Sequence, residues 1–381
     1  MILLLGSFMT VADSLAEPKS GGLNESELVA ISTAFAQAIN DQDMETLSRL
    51  IDMRAFGERA ARTLFDRESD IQGFVKGFSS RGSLRFVRSA FGQALDAKSR
   101  AKYLRILRDA DEATPLVRVD IPSGGHEYIL LTVEKNTLGE VVVSDLFLAT
   151  TGKQLSISLG AAAQLLIAPS DTMIRKLFNV KSVDRELLIQ FREIGKLRRE
   201  KRYLDAYRLI QGMPLEIRTQ RVILDLAIQL SQAVDDQEYY HQLELLAKHH
   251  GDDPSTAFML IDYYFSRGDM TRANDSIGRM IVRFGNDAAL MNLKASIAYS
   301  AGNMDEATAH ALESIRLEND FEDGYWTLVT IHIATEQYTQ VVDDLKRIEQ
   351  TLGYEFRAEN FANEEFYAGF VKSRAFSDWL N

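Results

Sequence analysis

Residues 267–273 read RGDMTRA and residues 301–307 read AGNMDEA, and the two stretches are in register. Thirty-four residues separate Gly268 from Gly302, Met270 from Met304 and Ala273 from Ala307. A third copy follows at the same distance without its glycine. Tyr338 takes the Met304 position, Val341 the Ala307 position, and Glu336 stands where the glycine stood. A fixed period of this length marks stacked helix–turn–helix units, none of which can bury its apolar face alone. Glycine suits the turn within such a unit, and small residues such as Ala273, Ala295 and Ala307 let helix axes approach.

The chain has 381 residues, which predicts two domains. It is 46% hydrophobic and 26% charged with only 6 Pro, a folded composition with no need for bulk disorder. Its net charge of −12 is unevenly placed, because residues 222–381 carry 27 acidic against 12 basic side chains. So acidic a surface repels phosphate backbones and excludes nucleic acid as a partner for that half. Without cysteine there are no disulfides, thiolate metal sites or cysteine nucleophiles.

At the N-terminus the apolar run ILLLGSFMTVA is too short to span a bilayer as a helix and suits the core of a secretory signal. Ser14 and Ala16 stand at the −3 and −1 positions of a small-x-small cleavage site, so residues 1–16 are expected to be a signal peptide. A basic start is missing. The mature chain is expected in the periplasm or outside the cell; the alternative is an apolar arm on a cytoplasmic protein. No other stretch reaches transmembrane length, so no integral membrane segment is expected in the mature chain.

After the turn-rich linker 17–24, Leu28, Ile31, Phe35, Ala38 and Ile39 recur at helical spacing, followed by Met44, Leu47, Leu50 and Ile51. Further helix is expected over 56–65 and 71–78. The texture then changes to β-forming runs at 103–107, 116–121, 128–133 and 141–148, with hairpin-like turns PSGGH at 122–126 and KNTLG at 135–139. Simple alternation puts Val141, Val143, Asp145 and Phe147 on one face of the last strand and Val142, Ser144, Leu146 and Leu148 on the other. Residues 24–168 therefore read as an α+β domain with helices on an antiparallel sheet. A break at Pro169-Ser170-Asp171 and a short helix over 172–180 lead to an all-α helical repeat array at 184–352. Residues 353–381, with Phe366, Phe370, Val371, Phe376, Trp379 and Leu380, read as a helix capping the last exposed core.

The stretches FAQAINDQDMETLSRLID and GEVVVSDLFLATTGKQLS resemble the cone-shaped domains of the nuclear-transport-factor-two and ketosteroid-isomerase superfamily, over about residues 24–165. That resemblance implies an apolar pocket in which an Asp removes a proton while a Tyr or second acid stabilises the oxyanion. Asp145, Tyr103 and Tyr128 are the residues available for it. The alternative is that Asp145 faces water or caps a neighbouring loop.

The repeats resemble tetratricopeptide units. AFMLIDYYFSRGDMTRA supplies Leu260, Tyr264, Gly268, Met270 and Ala273; the next unit supplies Met291, Ala295, Gly302, Met304 and Ala307; the next supplies Tyr325, Leu328 and Tyr338. Tyr203 with Ala206, and Tyr239 with Leu246 and Pro254, mark two looser units upstream, which makes about five. The resemblance implies a concave side formed by the first helix of each pair. In that register Phe258, Asp262 and Phe265, then Asn292, Ser296 and Tyr299, then Trp326, Thr330 and Ile333 line it. Such a strip suits an extended peptide or a partner helix. The alternative is that the next unit or the N-terminal domain buries these side chains. The Lys/Asn/Arg clamp that some members use for C-terminal carboxylates is absent.

Six histidines occur, none at a metal-binding spacing; His249-His250 beside Asp252-Asp253 reads as a solvated helix end. Ser99 and Lys102 match S-x-x-K by letters without the motifs that accompany it. Arg192, Lys196, Arg198, Arg199, Lys201 and Arg202 form a basic cluster that reads as a solvated helix face. No cofactor or metal is expected. These features favour a non-catalytic scaffold that binds a protein or peptide on the array, with the N-terminal domain pairing with a second copy or holding a ligand. The alternative is a small-molecule-binding or isomerase-like N-terminal pocket whose repeats recruit a partner.

Overall fold

A computed structural model describes residues 22–79, 99–109, 112–121, 125–166, 185–362 and 364–380. The expected signal peptide, the break at 169–171 and the connecting helix at 172–180 lie outside the described residues. The N-terminal part opens with helix α1 (Glu25–Asn40), started by a capping box in which Asn24 Oδ1 accepts from the Glu27 N–H and Glu27 Oε2 from the Asn24 N–H. Helices α2 (Met44–Leu50), α3 (Met53–Arg62) and α4 (Glu68–Ser79) follow. A five-stranded antiparallel sheet then runs in chain order through β1 (Arg100–Asp109), β2 (Glu112–Asp120), β3 (His126–Lys135), β4 (Val141–Leu148) and β5 (Lys153–Gln154), before helix α5 (Leu155–Leu166).

One sheet face is covered by the N-terminal helices. Leu28, Ile31, Phe35 and Ile39 of α1 and Leu47 of α2 pack on Val117, Val119, Ile129, Leu131, Leu146 and Leu148. Strict alternation along β4 fails at one point. The register passes from Thr132↔Asp145 to Val133↔Val143, leaving Ser144 as a bulge. The extra residue shifts the parity, so Val143 joins Leu146 and Leu148 in this core while Phe147 faces the opposite side. The freed Val143 carbonyl accepts from the Asp52 N–H at 2.9 Å, which fixes the entry to α3.

The C-terminal part is a helical array of five hairpins. Helices α6 (Arg185–Arg199) and α7 (Tyr203–Gln211) form the first; after the single-turn α8 (Leu215–Arg218), α9 (Arg221–Ser231) and α10 (Asp236–His250) form the second. The third is α11 (Ala257–Ser266) with α12 (Met270–Phe284), the fourth α13 (Ala288–Ser300) with α14 (Met304–Leu317), and the fifth α15 (Glu322–Ala334) with α16 (Tyr338–Leu352).

One turn recurs in this array. Gly268 and Gly302 adopt φ of 73° and 80°, and the N–H of each glycine and that of the residue after it return to the preceding helix in the same pattern: Gly268 to Phe265 and Asp269 to Tyr264, then Gly302 to Tyr299 and Asn303 to Ala298. This is the double bond of a Schellman turn, which needs a left-handed residue after the helix. The fifth hairpin makes the same two bonds, from Glu336 to Ile333 and from Gln337 to His332, although Glu336 must hold φ at 56° to do so. Lys201 in the first hairpin and Gln42 between α1 and α2 are also left-handed, at 59° and 55°. The missing glycine of the third copy thus changes the residue and leaves the turn.

Beyond α16 the expected single capping helix divides into short pieces, among them α17 (Ala368–Val371) and α18 (Arg374–Leu380). Ser373 causes the break, since its Oγ accepts from the Phe376 N–H at 3.1 Å and starts a new helix. The pieces still close the last core. Phe361, Phe370 and Phe376 are buried there against Trp379, with Phe370 and Phe376 5.0 Å apart edge to face. Among the described residues no helix is long and apolar enough to cross a membrane.

A Cβ at Gly302 meets nothing within 4 Å, so Gly302→Ala tests the backbone alone. It is expected to cost about 1 kcal/mol, and Glu336→Gly to add about 0.5–1 kcal/mol, both read from urea unfolding midpoints. Opposite signs at two equivalent positions would identify left-handed strain as the cause.

Candidate functional site

The second face of the sheet is where the two parts meet. Leu116 and Tyr128 pack there with Leu224 and Ile228 of α9, Leu260 and Tyr264 of α11, and Ile277 and Phe284 of α12 in one core. Tyr128 stacks on Phe284 at 5.5 Å and meets the edge of Phe258 at 5.9 Å. Contacts step across the sheet as the array advances. Lys153 of β5 pairs with Asp225 of the second hairpin at 2.7 Å, and Arg221 donates to the Thr151 carbonyl at 3.0 Å. Gly152, at φ 66°, lies so close to the Ser255 backbone ahead of the third hairpin that any Cβ would collide. At the other edge, Lys102 of β1 pairs with Glu318 at the end of the fourth.

Arg118 of β2 is the centre of this joint. It is completely buried, with Nε at 2.7 Å from Asp120, one amino group 2.7 Å from Asp287 and the other 3.0 Å from both Asp120 and Glu318. Its guanidinium also lies 4.9 Å from the centre of the Phe321 ring. Burial alone would lower its pKa; the charges of Asp120, Asp287 and Glu318 reverse that and raise it. Asp287 serves twice more, accepting from the Tyr128 hydroxyl and from the Ala289 N–H as the N-cap of α13. Asp253, Asp287 and Phe321 lie thirty-four residues apart, and all three take part in the joint or in its flank through Arg221.

Beside Arg118 opens a cleft of about 900 Å³ between the end of the sheet and the joint between the fourth and fifth hairpins. Its walls include Asp120, His126 and Lys102 on one side and Glu318, Phe321 and Asp323 on the other. His126 Nδ1 is 2.7 Å from Asp120 Oδ1 and its ring 5.9 Å from Phe321. Burial alone would push the Asp120 carboxyl up; His126 and Arg118 outweigh that and hold it below its ordinary value. Among the described residues no group of three or more His, Cys, Asp or Glu could hold a metal.

The pocket triad expected in the N-terminal domain does not assemble. Asp145 is buried and accepts from the Leu146 and Ser156 N–H groups and from the Ser156 hydroxyl, so it starts α5. Burial raises its carboxyl in spite of those bonds. Tyr128 is engaged by Asp287, and Tyr103 is half-buried on β1 with its hydroxyl pushed up by burial and by Glu25. Three side chains named for one pocket thus serve three different neighbourhoods.

Along the predicted strip, only two positions, both on the third hairpin, are exposed. Phe258 packs against Tyr128, and Trp326 meets Tyr354 and Phe356 edge-on while its Nε1 donates to Glu322 at 3.1 Å. Asp262 and Phe265 are exposed; Asn292, Ser296, Tyr299 and Thr330 are half-buried; Ile333 is buried. The Asn292 Oδ1 is buried without a hydrogen-bond donor. Of the remaining sequence candidates, His250 Nε2 lies 2.8 Å from the Thr219 carbonyl, Lys102 serves Glu318, and Lys196 and Arg202 pair with nearby Glu193 and Asp205. Arg118, Asp120, Asp287 and Glu318 were not singled out by sequence. The period itself held the clue, since Asp253 and Asp287 repeat at thirty-four residues. No family model, curated protein or solved structure matches the chain.

Arg118→Met leaves three carboxylates facing one another, two of them almost wholly buried, and is expected to cost about 3–5 kcal/mol in urea unfolding. Arg118→Lys should recover only part of that, because one ammonium cannot meet all three geometries. A second expectation concerns pH. Glu127 is buried beside Thr150, and burial drives its carboxyl from an ordinary 4.5 to about 7 despite the bonds from Thr150. The folded chain therefore binds a proton that the unfolded chain has lost, and stability falls as pH rises across that window. This one group accounts for roughly 3 kcal/mol between those limits, and Glu127→Gln should remove that slope from unfolding measured as a function of pH.

Proposed function

We propose that this chain is a non-catalytic interaction scaffold of the tetratricopeptide kind, with a nuclear-transport-factor-two-like domain at its N-terminus. An extended peptide or a partner helix lies on the strip formed by the first helices of the third to fifth hairpins. The chain is exported, on the strength of its apolar start and small-x-small site. The observation that carries this reading is the exposed pair of side chains on the strip's third-hairpin end. Asp262 and Phe265 are exposed on α11. An aromatic and a polar group side by side on an accessible patch are what an interface core uses. The isomerase-like reading loses support from the same side chains it needed: Asp145 already holds Ser156, and Tyr128 already holds Asp287.

Panning a displayed library of random peptides against the whole chain tests the reading. Selected peptides should lose at least about tenfold in affinity for a Phe265→Ser, Tyr299→Ala variant whose melting temperature stays within about 3 °C of the wild type. Equal affinity for both proteins would remove the strip as the working surface.

A further inference from the structure

We infer that a second cleft, outside the strip, binds the phosphate group of a small molecule. It lies between the C-terminal end of α10 and the outer face of α12 and holds about 590 Å³. The strip belongs to first helices and this cleft chiefly to second helices, so the inference stands independently of the proposed function.

Its floor carries two hydroxyl groups that the fold does not use. Tyr264 is 8% exposed and Ser276 4%, both line the cleft, and neither hydroxyl makes a hydrogen bond among the described residues. The Tyr264 hydroxyl stands against the end of α10, where a Cβ added at Gly251 would lie 3.2 Å from it. Comparable buried hydroxyls in this chain are engaged: Ser231 donates to the Ile228 carbonyl, Ser314 to the Ala288 carbonyl and Tyr128 to Asp287. Buried polar groups are met by a partner, and here the partner must come from the cleft.

Two guanidiniums flank these hydroxyls. Arg272, Ser276 and Arg279 follow one another at four and three residues along α12 and so share one face of it. Arg279 spends one donor on the Gly251 carbonyl at 3.0 Å, and Arg272 lies 3.6 Å from Asp269 and 5.7 Å from the centre of the Tyr264 ring. Most of their N–H donors remain available. Lys248 at the end of α10 adds an exposed ammonium. Of the acids in the lining, Asp253 is held by the Ser255 N–H and by Arg221, while Asp252 and Asp275 are exposed to water.

Two guanidiniums and two hydroxyls offer more donors than the two oxygens of a carboxylate accept side by side, and suit the three terminal oxygens of a phosphate monoester. The cleft is larger than that group alone. Asp252 and Asp275 disfavour a second phosphate beside the first, so the body that carries it is neutral or bears an amine.

Isothermal titration calorimetry on the whole chain at fixed ionic strength tests this, with phosphoethanolamine, inorganic phosphate and acetate as probes. Phosphoethanolamine should bind saturably, more tightly than inorganic phosphate and at least about tenfold more tightly than acetate. Tyr264→Phe with Ser276→Ala removes only the two unused hydroxyls. The melting temperature should therefore stay within about 3 °C of the wild type while affinity falls about tenfold. Arg272→Gln with Arg279→Gln should abolish binding, and Arg316→Gln, whose guanidinium pairs with Glu313 elsewhere on the array, should change nothing. Inorganic phosphate binding as tightly as the ester would overturn the carried body. Binding that survives either double variant, or no saturable binding of either phosphate probe, would overturn the site.

Discussion

A guanidinium with no contact to solvent, held by carboxylates from both halves of the chain, is the constraint on which the arrangement depends. Arg118 belongs to the sheet, while Asp287 and Glu318 belong to joints between helical hairpins and Asp120 keeps the remaining donors occupied. A buried ion pair of this kind adds little net stability compared with a well-packed apolar core, but any misdocking strands a charge, so it acts on specificity. The apolar part of the interface, with Tyr128 between Phe258 and Phe284, supplies the area. Arg118 supplies the register.

Helical repeat arrays are usually quasi-one-dimensional, each unit touching only its neighbours. This one carries contacts that reach across much of the chain: Arg118 meets Glu318 across 200 positions and Lys153 meets Asp225 across 72. The hairpins from the second to the joint before the fifth are thereby tied to one sheet, while the first hairpin shares a separate core with α9 and the C-terminal aromatic cluster shares one with the fifth hairpin. The third and fourth hairpins belong both to this tied part and to the strip.

Much of the architecture was legible because it rests on local periodicity. The thirty-four-residue repeat gave the hairpins, and β-rich runs located four strands, of which 141–148 matches its observed limits and the other three begin two to four residues earlier than expected. What alternation could not give was the Ser144 bulge, where a single inserted residue exchanges the faces of Val143 and its neighbours. The apolar spacing of the C-terminal cap is that of one helix; Ser373, a capping residue in mid-sequence, is the signal against it. The joint was illegible for a different reason. Arg118 and Glu318 are ordinary charged residues until two distant segments meet, and no spacing in the chain announces such a meeting. The same holds for the cover over Phe258 and Trp326, which local register can aim but not bury.

Fixing the joints of consecutive hairpins to successive strands has a mechanical consequence. The rise of the array per unit is set by the sheet beneath it, much as the teeth of a rack set the advance of a gear. A free array breathes by opening and closing its curvature, and a ligand must first halt that motion, at a cost in conformational entropy. Here the central hairpins are anchored to the sheet, so the separation of the side chains along the strip is set by the same contacts that hold the joint.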